Sequence, residues 1–331
     1  MRKPPIQAWK ALWQWIRYRR VPLSVTFVLT NRCNQTCSYC DIRTDRSMEM
    51  STDAWIAALQ EFHSLGLVRA SFSGGEVLLR ADLSRILSEA RSLGMTTSIN
   101  TNGSLLADRW PEIAPWLDML VLSLDGPREV HDARCGRRGS FDRVLEAIRL
   151  ARRSGVPVAT IFVADRDNLA TLPFVMEMGA REGFFVYVQP RHASCFSVDQ
   201  GLGDLDSDFL QHLGHMLERA RRLGLPIGAS RSFVATLLDP EQVPSCRACA
   251  AGNFFATVLP DGELIPCHLT RREHPRDLVA QGGVEKAWRS LAHPWTGRGC
   301  LIAPYQELNR MFHLDPEAIR SALMRLAGRR R

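Results

Sequence analysis

Apolar runs of strand length alternate six times with stretches of helical periodicity in this 331-residue chain, and few folds accommodate that alternation. The runs are Leu23 to Leu29, Val68 to Ser73, Thr96 to Asn100, Leu120 to Ser123, Val158 to Val163 and Phe184 to Val188. Helices are expected around Thr52 to Leu65, Leu83 to Leu93, Ala107 to Leu117, Phe141 to Arg153 and Leu169 to Arg181. A sixth begins at Ser207, where Phe209, Leu213, Met216, Leu217, Ala220 and Leu223 trace one face. Gly66, Gly94, Gly155, Gly183 and Gly224 each stand just past a helix end, where a left-handed cap is wanted. Six βα units imply a parallel sheet, as an open sheet or a partial barrel.

After Leu225 the pattern changes. Pro226, Pro240, Pro244, Pro260 and Pro266 break the chain, and four of its nine Cys fall in this last part. Three segments are expected: 1–22, a basic amphipathic helix; 23–225, the βα unit; and 226–331, a smaller Cys-rich domain. Ile6, Trp9, Trp13 and Ile16 share one face of the first helix, which suits contact with a membrane surface or packing across the main domain.

A hydrophobic content of 45% supports a sizeable core. No apolar run approaches the length of a membrane span, and the basic amino terminus lacks the form of a signal peptide, so a cytoplasmic location is expected. Nine Cys, three of them clustered, suit metal or redox chemistry in a reducing compartment rather than a disulfide framework. The net charge of +7 is concentrated at the ends: six basic residues and no acid precede Val21, and four Arg lie between Arg325 and Arg331. A nucleic-acid binder would spread basic residues over a folded face with aromatic platforms, so nucleic acid is not expected as a partner.

In a βα-repeat fold, ligand chemistry gathers in the loops at the carboxyl ends of the strands. The loop after the first strand holds Cys33, Cys37 and Cys40 within eight residues. A [4Fe-4S] cube that only moves electrons takes four thiolates, so three leave one iron free for a substrate or cosubstrate. A zinc site with a fourth ligand from elsewhere also fits this spacing. Ser73-Gly74-Gly75-Glu76 follows the second strand, Asn100-Thr101-Asn102-Gly103 the third, and Ser123-Leu124-Asp125-Gly126-Pro127 the fourth. Paired glycines permit close backbone approach, and Glu76 can accept from an ammonium.

These motifs, in this order, resemble the radical S-adenosylmethionine (radical SAM) superfamily over roughly residues 22–190. The resemblance implies a partial (β/α)6 TIM-type barrel of the α/β class. Cys33, Cys37 and Cys40 would hold a [4Fe-4S] cluster whose fourth iron is chelated by SAM. Tyr39 would lie near the adenine, and Gly74, Gly75 and Glu76 would receive the methionine amino group. Asn100, Asn102, Ser123 and Asp125 would line the SAM pocket. The family pattern HDxxRGxxGSF matches His131 to Phe141, with Cys135 between Arg134 and Gly136; Arg134 is the candidate for the SAM carboxylate, with Arg137 and Arg138 as alternatives. Reductive cleavage of SAM would yield a 5′-deoxyadenosyl radical that abstracts hydrogen, with electrons from a reduced flavodoxin- or ferredoxin-type donor.

The last third resembles the SPASM/Twitch extensions of such enzymes. Cys246, Cys249, Cys267 and Cys300 would hold an auxiliary [4Fe-4S] cluster, with structural zinc as the plainer use of the same donors and His268 as a substitute for Cys300. The implied activity is oxidation or cross-linking of a peptide or small polar metabolite. With only about 22 residues before the first strand, peptide recognition is expected to use a partner protein or direct contact. Cys195 could return a hydrogen atom as in an epimerase, and His192 could act as a base beside Gln189 and Arg191. A lipid-modifying enzyme and a non-catalytic zinc or iron-sulfur protein are the rival readings.

Overall fold

The computed structural model describes residues 20–44, 47–191, 206–240, 249–267, 279, 283–291 and 301–320. Six parallel strands carry the fold: β1 (Ser24–Val28), β2 (Arg69–Ser73), β3 (Thr96–Thr101), β4 (Met119–Ser123), β5 (Val158–Ala164) and β6 (Phe185–Pro190). Each pairs in parallel with the next. Helices α1 (Thr52–Ser64), α2 (Leu83–Ser92), α3 (Leu106–Ile113), α4 (Arg128–Cys135), α5 (Ser140–Arg153) and α6 (Leu172–Glu182) lie between them. Strands covered on both faces read as near-continuous apolar runs, which is why these were visible in the sequence.

Helices α7 (Ser207–Arg222) and α8 (Arg231–Leu238) follow, then β7 (Phe255–Val258), β8 (Leu264–Ile265), α9 (Val284–Ser290) and α10 (Ala303–Phe312). β7 pairs in parallel with β1, and β8 runs antiparallel to β7. The eight strands therefore lie in the order β6-β5-β4-β3-β2-β1-β7-β8, and β6 does not pair with β1. That open order is the partial barrel the motifs implied.

The helix-facing side of the sheet is apolar. Phe27 stacks on Phe72 with ring centroids 5.5 Å apart and meets Trp55 and Phe62 edge-on at 6.1 and 5.6 Å. Such pairs add about 0.5–1.5 kcal/mol each beyond area burial. Because side chains alternate along a strand, Ile99 in that core places Ser98 and Asn100 on the opposite, barrel-interior face. Ser98 Oγ reaches Ser71 Oγ there at 3.1 Å.

Helix ends follow local chemistry. Ser51 caps α1 through Ala54 N, and Asp206 caps α7 through Phe209 N. Gly183 ends α6 with φ 73°. α3 stops at Ile113 and tightens into a 3-10 turn, Ala114–Trp116, because Pro115 follows. No helix among the described residues is long and apolar enough to cross a membrane.

Candidate functional site

The loop after β1 is anchored from three sides. Toward β2, Gly75 N donates to Thr30 O at 2.8 Å and Glu76 N to Arg32 O at 2.8 Å. A Cβ on Gly75 would sit 2.3 Å from Arg32 O, and one on Gly74 2.7 Å from Thr30 O. The two glycines therefore let one backbone lie directly on the other, and their first contact is with the Cys loop itself. Toward α4, Thr36 N donates to Cys135 O at 3.1 Å and Ser38 N to Arg134 O at 2.9 Å. Toward β3, Asn102 Nδ2 donates to Asn34 Oδ1 at 2.9 Å, and Asn34 Nδ2 to Ser104 Oγ at 2.9 Å.

Glu76 is fully buried. Its carboxylate accepts from Leu78 N at 3.0 Å, Thr101 Oγ1 at 2.7 Å and Asn102 N at 2.8 Å. Burial raises its pKa while those three hydrogen bonds pull it down. A carboxylate offers about four acceptor positions, so one is left for an ammonium. The buried Asn31 Oδ1, two residues before Cys33, also lacks a partner among the described residues.

On the other side, Tyr39 OH donates to Asp125 Oδ2 at 2.7 Å, and Val163 N donates to Asp125 Oδ1 at 2.8 Å. Burial lifts Tyr39 well above the ordinary phenol range and brings Asp125 to about 6. The Arg134 guanidinium lies 5.1 Å from the Tyr39 ring centroid and pairs with Asp165 at 2.9 Å, Val163 O accepting at 3.2 Å. Its Nε has no partner among the described residues, whereas Arg137 and Arg138 are exposed. Asn100 and Ser123 are half-buried near the carboxyl ends of β3 and β4.

Asp125 and His131 carry opposite pH signatures. Asp125 has a folded value of about 6 against an ordinary 3.8, so its contribution is fully present below the ordinary range and lost as pH rises through about 6. Burial depresses His131 from 6.5 to about 4, so its contribution is present above 6.5 and lost as pH falls through about 4. The slopes oppose one another. Removing the first by Asp125→Asn is expected to make the variant progressively less stable than wild type as pH drops from about 6 to about 4. The change is on the order of 3 kcal/mol. A melting-temperature difference that stays constant over that window would contradict it.

Cys33 and Cys37 are half-buried and Cys40 is exposed at the loop surface. Burial raises the Cys33 thiol and brings Cys40 to about 11, while contact with Cys135 lowers Cys37. Metal binding would displace these protons. Three thiols on one loop, with a free acceptor on Glu76 beside them, fit a cube with one open iron.

In the last third, Cys249 precedes β7 and Cys267 follows β8. Both pack on one patch formed by Ala250, Ala251, Phe255, Ile302 and Tyr305. Cys246, Cys300, His268, His192, Cys195 and the amino-terminal segment with Trp9 and Trp13 lie outside the described residues. Gln189 is half-buried at the end of β6, and Arg191 approaches Asp165 at 3.9 Å. Sequence reasoning missed Asp165 and the structural parts played by Asn34, His131 and Ser140. The polar residues between the cysteines were the available signal, because a loop that must be anchored needs donors and acceptors.

A thiol-bearing loop at the carboxyl end of the first strand of an open parallel barrel is a frame of the βα class that suits a metal cluster. Residues 27–178 match the family described as the Radical SAM superfamily. The chain is 31% identical over 258 residues to the PqqA peptide cyclase of Gluconobacter oxydans, covering 75% of this chain and 70% of that protein. It is 26% identical over 253 residues to the sporulation killing factor maturation protein SkfB of Bacillus subtilis, covering 75% and 61%. The structure of Streptococcus suis SuiB bound to precursor peptide SuiA matches with a TM-score of 0.66 at 16% identity, over 85% of this chain and 68% of that one. The chain belongs to the radical SAM superfamily and is an enzyme, and the family's cofactors are SAM and a [4Fe-4S] cluster.

Proposed function

We propose that this enzyme modifies a peptide by removing hydrogen from it, leading to dehydrogenation or cross-linking. The observation that carries the radical chemistry is the Cys33–Cys40 loop held against the buried Glu76 at the ends of β1 and β2. The peptide substrate is supported by the relatives: two are named for a peptide cyclase and a killing-factor maturation protein, and a third is bound to a precursor peptide.

When bound, the cluster and SAM supply one-electron cleavage of a carbon–sulfur bond and a hydrogen-abstracting group. Cys33, Cys37 and Cys40 would hold the iron, and the remaining acceptor position of Glu76 would receive the methionine ammonium. Asn102 and Thr101 fix that carboxylate through their own hydrogen bonds. Tyr39, held by Asp125, would contact the adenine, and Asn100 and Ser123 would line the SAM pocket. Arg134 steadies Tyr39 while paired with Asp165, and the SAM carboxylate would fall to Arg134 Nε or to Arg137 and Arg138. The barrel wall around these groups excludes water from the reacting centre.

Cys249 and Cys267, on one patch, would be two ligands of an auxiliary [4Fe-4S] cluster, with Cys246 and Cys300 as the other two. A net two-electron oxidation of the substrate is what such a cluster suits. The electron donor is a reduced flavodoxin- or ferredoxin-type protein.

Peptides encoded beside this gene, incubated with reconstituted enzyme, SAM and dithionite, test the substrate class by mass spectrometry. A SAM-dependent loss of two hydrogens from one peptide is the expected result. Turnover of sugars or free amino acids, with every peptide unchanged, overturns the peptide reading.

A further inference from the structure

Arg69 begins β2 and takes no part in the site described above. Ala70 and Phe72 belong to the helix-facing core, so alternation along the strand puts Arg69, with Ser71, on the barrel interior. Ser24 stands opposite it on β1, and Arg69 Nη1 donates to Ser24 Oγ at 3.0 Å. That bond keeps the guanidinium at the level where β1 and β2 begin. This level is the floor of the barrel, at the end away from the Cys loop.

The interior above this floor is open. Thr26, Ile161 and Tyr187 face it from the middle of their strands and are only half-buried, while their neighbours Phe27, Phe162 and Val186 are fully covered on the helix side. The wall across from β2 also carries polar tips: Tyr305 OH lies 3.2 Å from Thr257 Oγ1, and Gly228 lies against the Tyr187 ring, where a Cβ would fall 2.4 Å from it. Arg69 has five N–H donors, and its bond to Ser24 uses one of them. No carboxylate among the described residues comes within ion-pair distance of it. Burial lowers its pKa, yet a guanidinium stays charged at neutral pH. An enclosed cation of this kind calls for an anion.

We propose that Arg69 is an anion subsite on the barrel floor that receives a carboxylate of the peptide substrate. The inference rests on the peptide reading above and names a group that such a peptide must present. Ser73, at the other end of β2, lies about 13 Å from Arg69 at the rise of an extended strand. An extended peptide covers that span in about four residues, so the carboxylate belongs within about four residues of the position that loses hydrogen. A carboxyl terminus and an Asp or Glu side chain offer the guanidinium the same two-oxygen acceptor.

The peptide that loses hydrogen in the assay above is prepared as its free acid, as its carboxyl-terminal amide, and with each nearby Asp or Glu replaced by Asn or Gln. With the reconstituted wild-type enzyme, KM is expected to rise about tenfold to a hundredfold for at least one neutralised form, which identifies the source of the carboxylate. In Arg69→Gln the acid and neutralised forms should share one KM, an equality that general damage to the barrel does not produce. Arg69→Lys keeps the charge without the planar fork and should retain part of the discrimination; it carries the test if the glutamine variant does not fold. Equal KM for all forms with wild type, or undiminished discrimination in the variants, overturns the subsite and leaves the peptide reading standing. If wild type modifies no peptide, that reading fails and the subsite falls with it.

Discussion

Replacing Cys33, Cys37 and Cys40 together by alanine is expected to abolish SAM cleavage while leaving a folded, still iron-bearing protein. The three thiols lie on one loop whose anchors are mostly other groups: Asn34, Gln35 and the backbone of Arg32, Thr36 and Ser38. Removing the sulfurs therefore leaves the frame that holds the loop. On the two-cluster reading, iron falls from about eight per chain to about four. Iron and sulfide quantification on anaerobically purified protein checks this. A variant that loses all its iron removes the auxiliary site on Cys249 and Cys267 from the account, and one that keeps all of it removes the first.

Gly75→Ala should do comparable damage by a different route. Its Cβ would approach Arg32 O to 2.3 Å, Arg32 C to 2.7 Å and Asn31 O to 2.9 Å, all backbone atoms of the Cys loop. No rotamer relieves such a contact, so either β2 or the loop must shift. Overpacking of this kind costs about 3 kcal/mol. For a chain of this size that lowers the melting temperature by roughly 4 °C, and a displaced loop should retain little of its iron. Gly155→Ala is the control. Gly155, unlike Gly75, has a positive φ, 71°, and meets nothing within 4 Å, so its cost is limited to about 1–2 kcal/mol of backbone strain. Full iron in the Gly75→Ala protein would mean that close backbone contact is not what holds the loop.

The six strands were legible because a doubly covered parallel sheet writes each strand as a short apolar run, and the five glycines past the helix ends marked where each unit turns. α4 was not. Arg128–Cys135 is polar along most of its length, and its burial of His131, Arg134 and Cys135 follows from tertiary contacts that no periodicity announces. The parallel pairing of β7 with β1 was equally hidden, since it joins residues more than two hundred positions apart. Within the site, the thiols and Glu76 could be named from spacing. The pairs that brace the surrounding loops, Asp165 with Arg134 and Asn102 with Asn34, come from separate loops and meet only once the sheet is assembled.

The glycine pair shows how a motif can be read correctly for residue type and incompletely for cause. Close approach was expected toward a ligand, and the structure shows close approach of Gly74 and Gly75 to the backbone of Thr30 to Arg32. The same residues then set Glu76 in place, with Glu76 N donating to Arg32 O. The Cys33–Cys40 loop and the carboxylate are thereby held in fixed relation through the main chain.

The central claim is that the Cys33–Cys40 loop holds the iron at which SAM is cleaved. Anaerobically reconstituted protein, mixed with SAM and dithionite and assayed by chromatography, tests it most directly. The account predicts a brown protein that forms 5′-deoxyadenosine and methionine in equal amounts, with neither product from the Cys33, Cys37, Cys40 triple-alanine variant. A colourless, zinc-loaded protein that leaves SAM intact would contradict it.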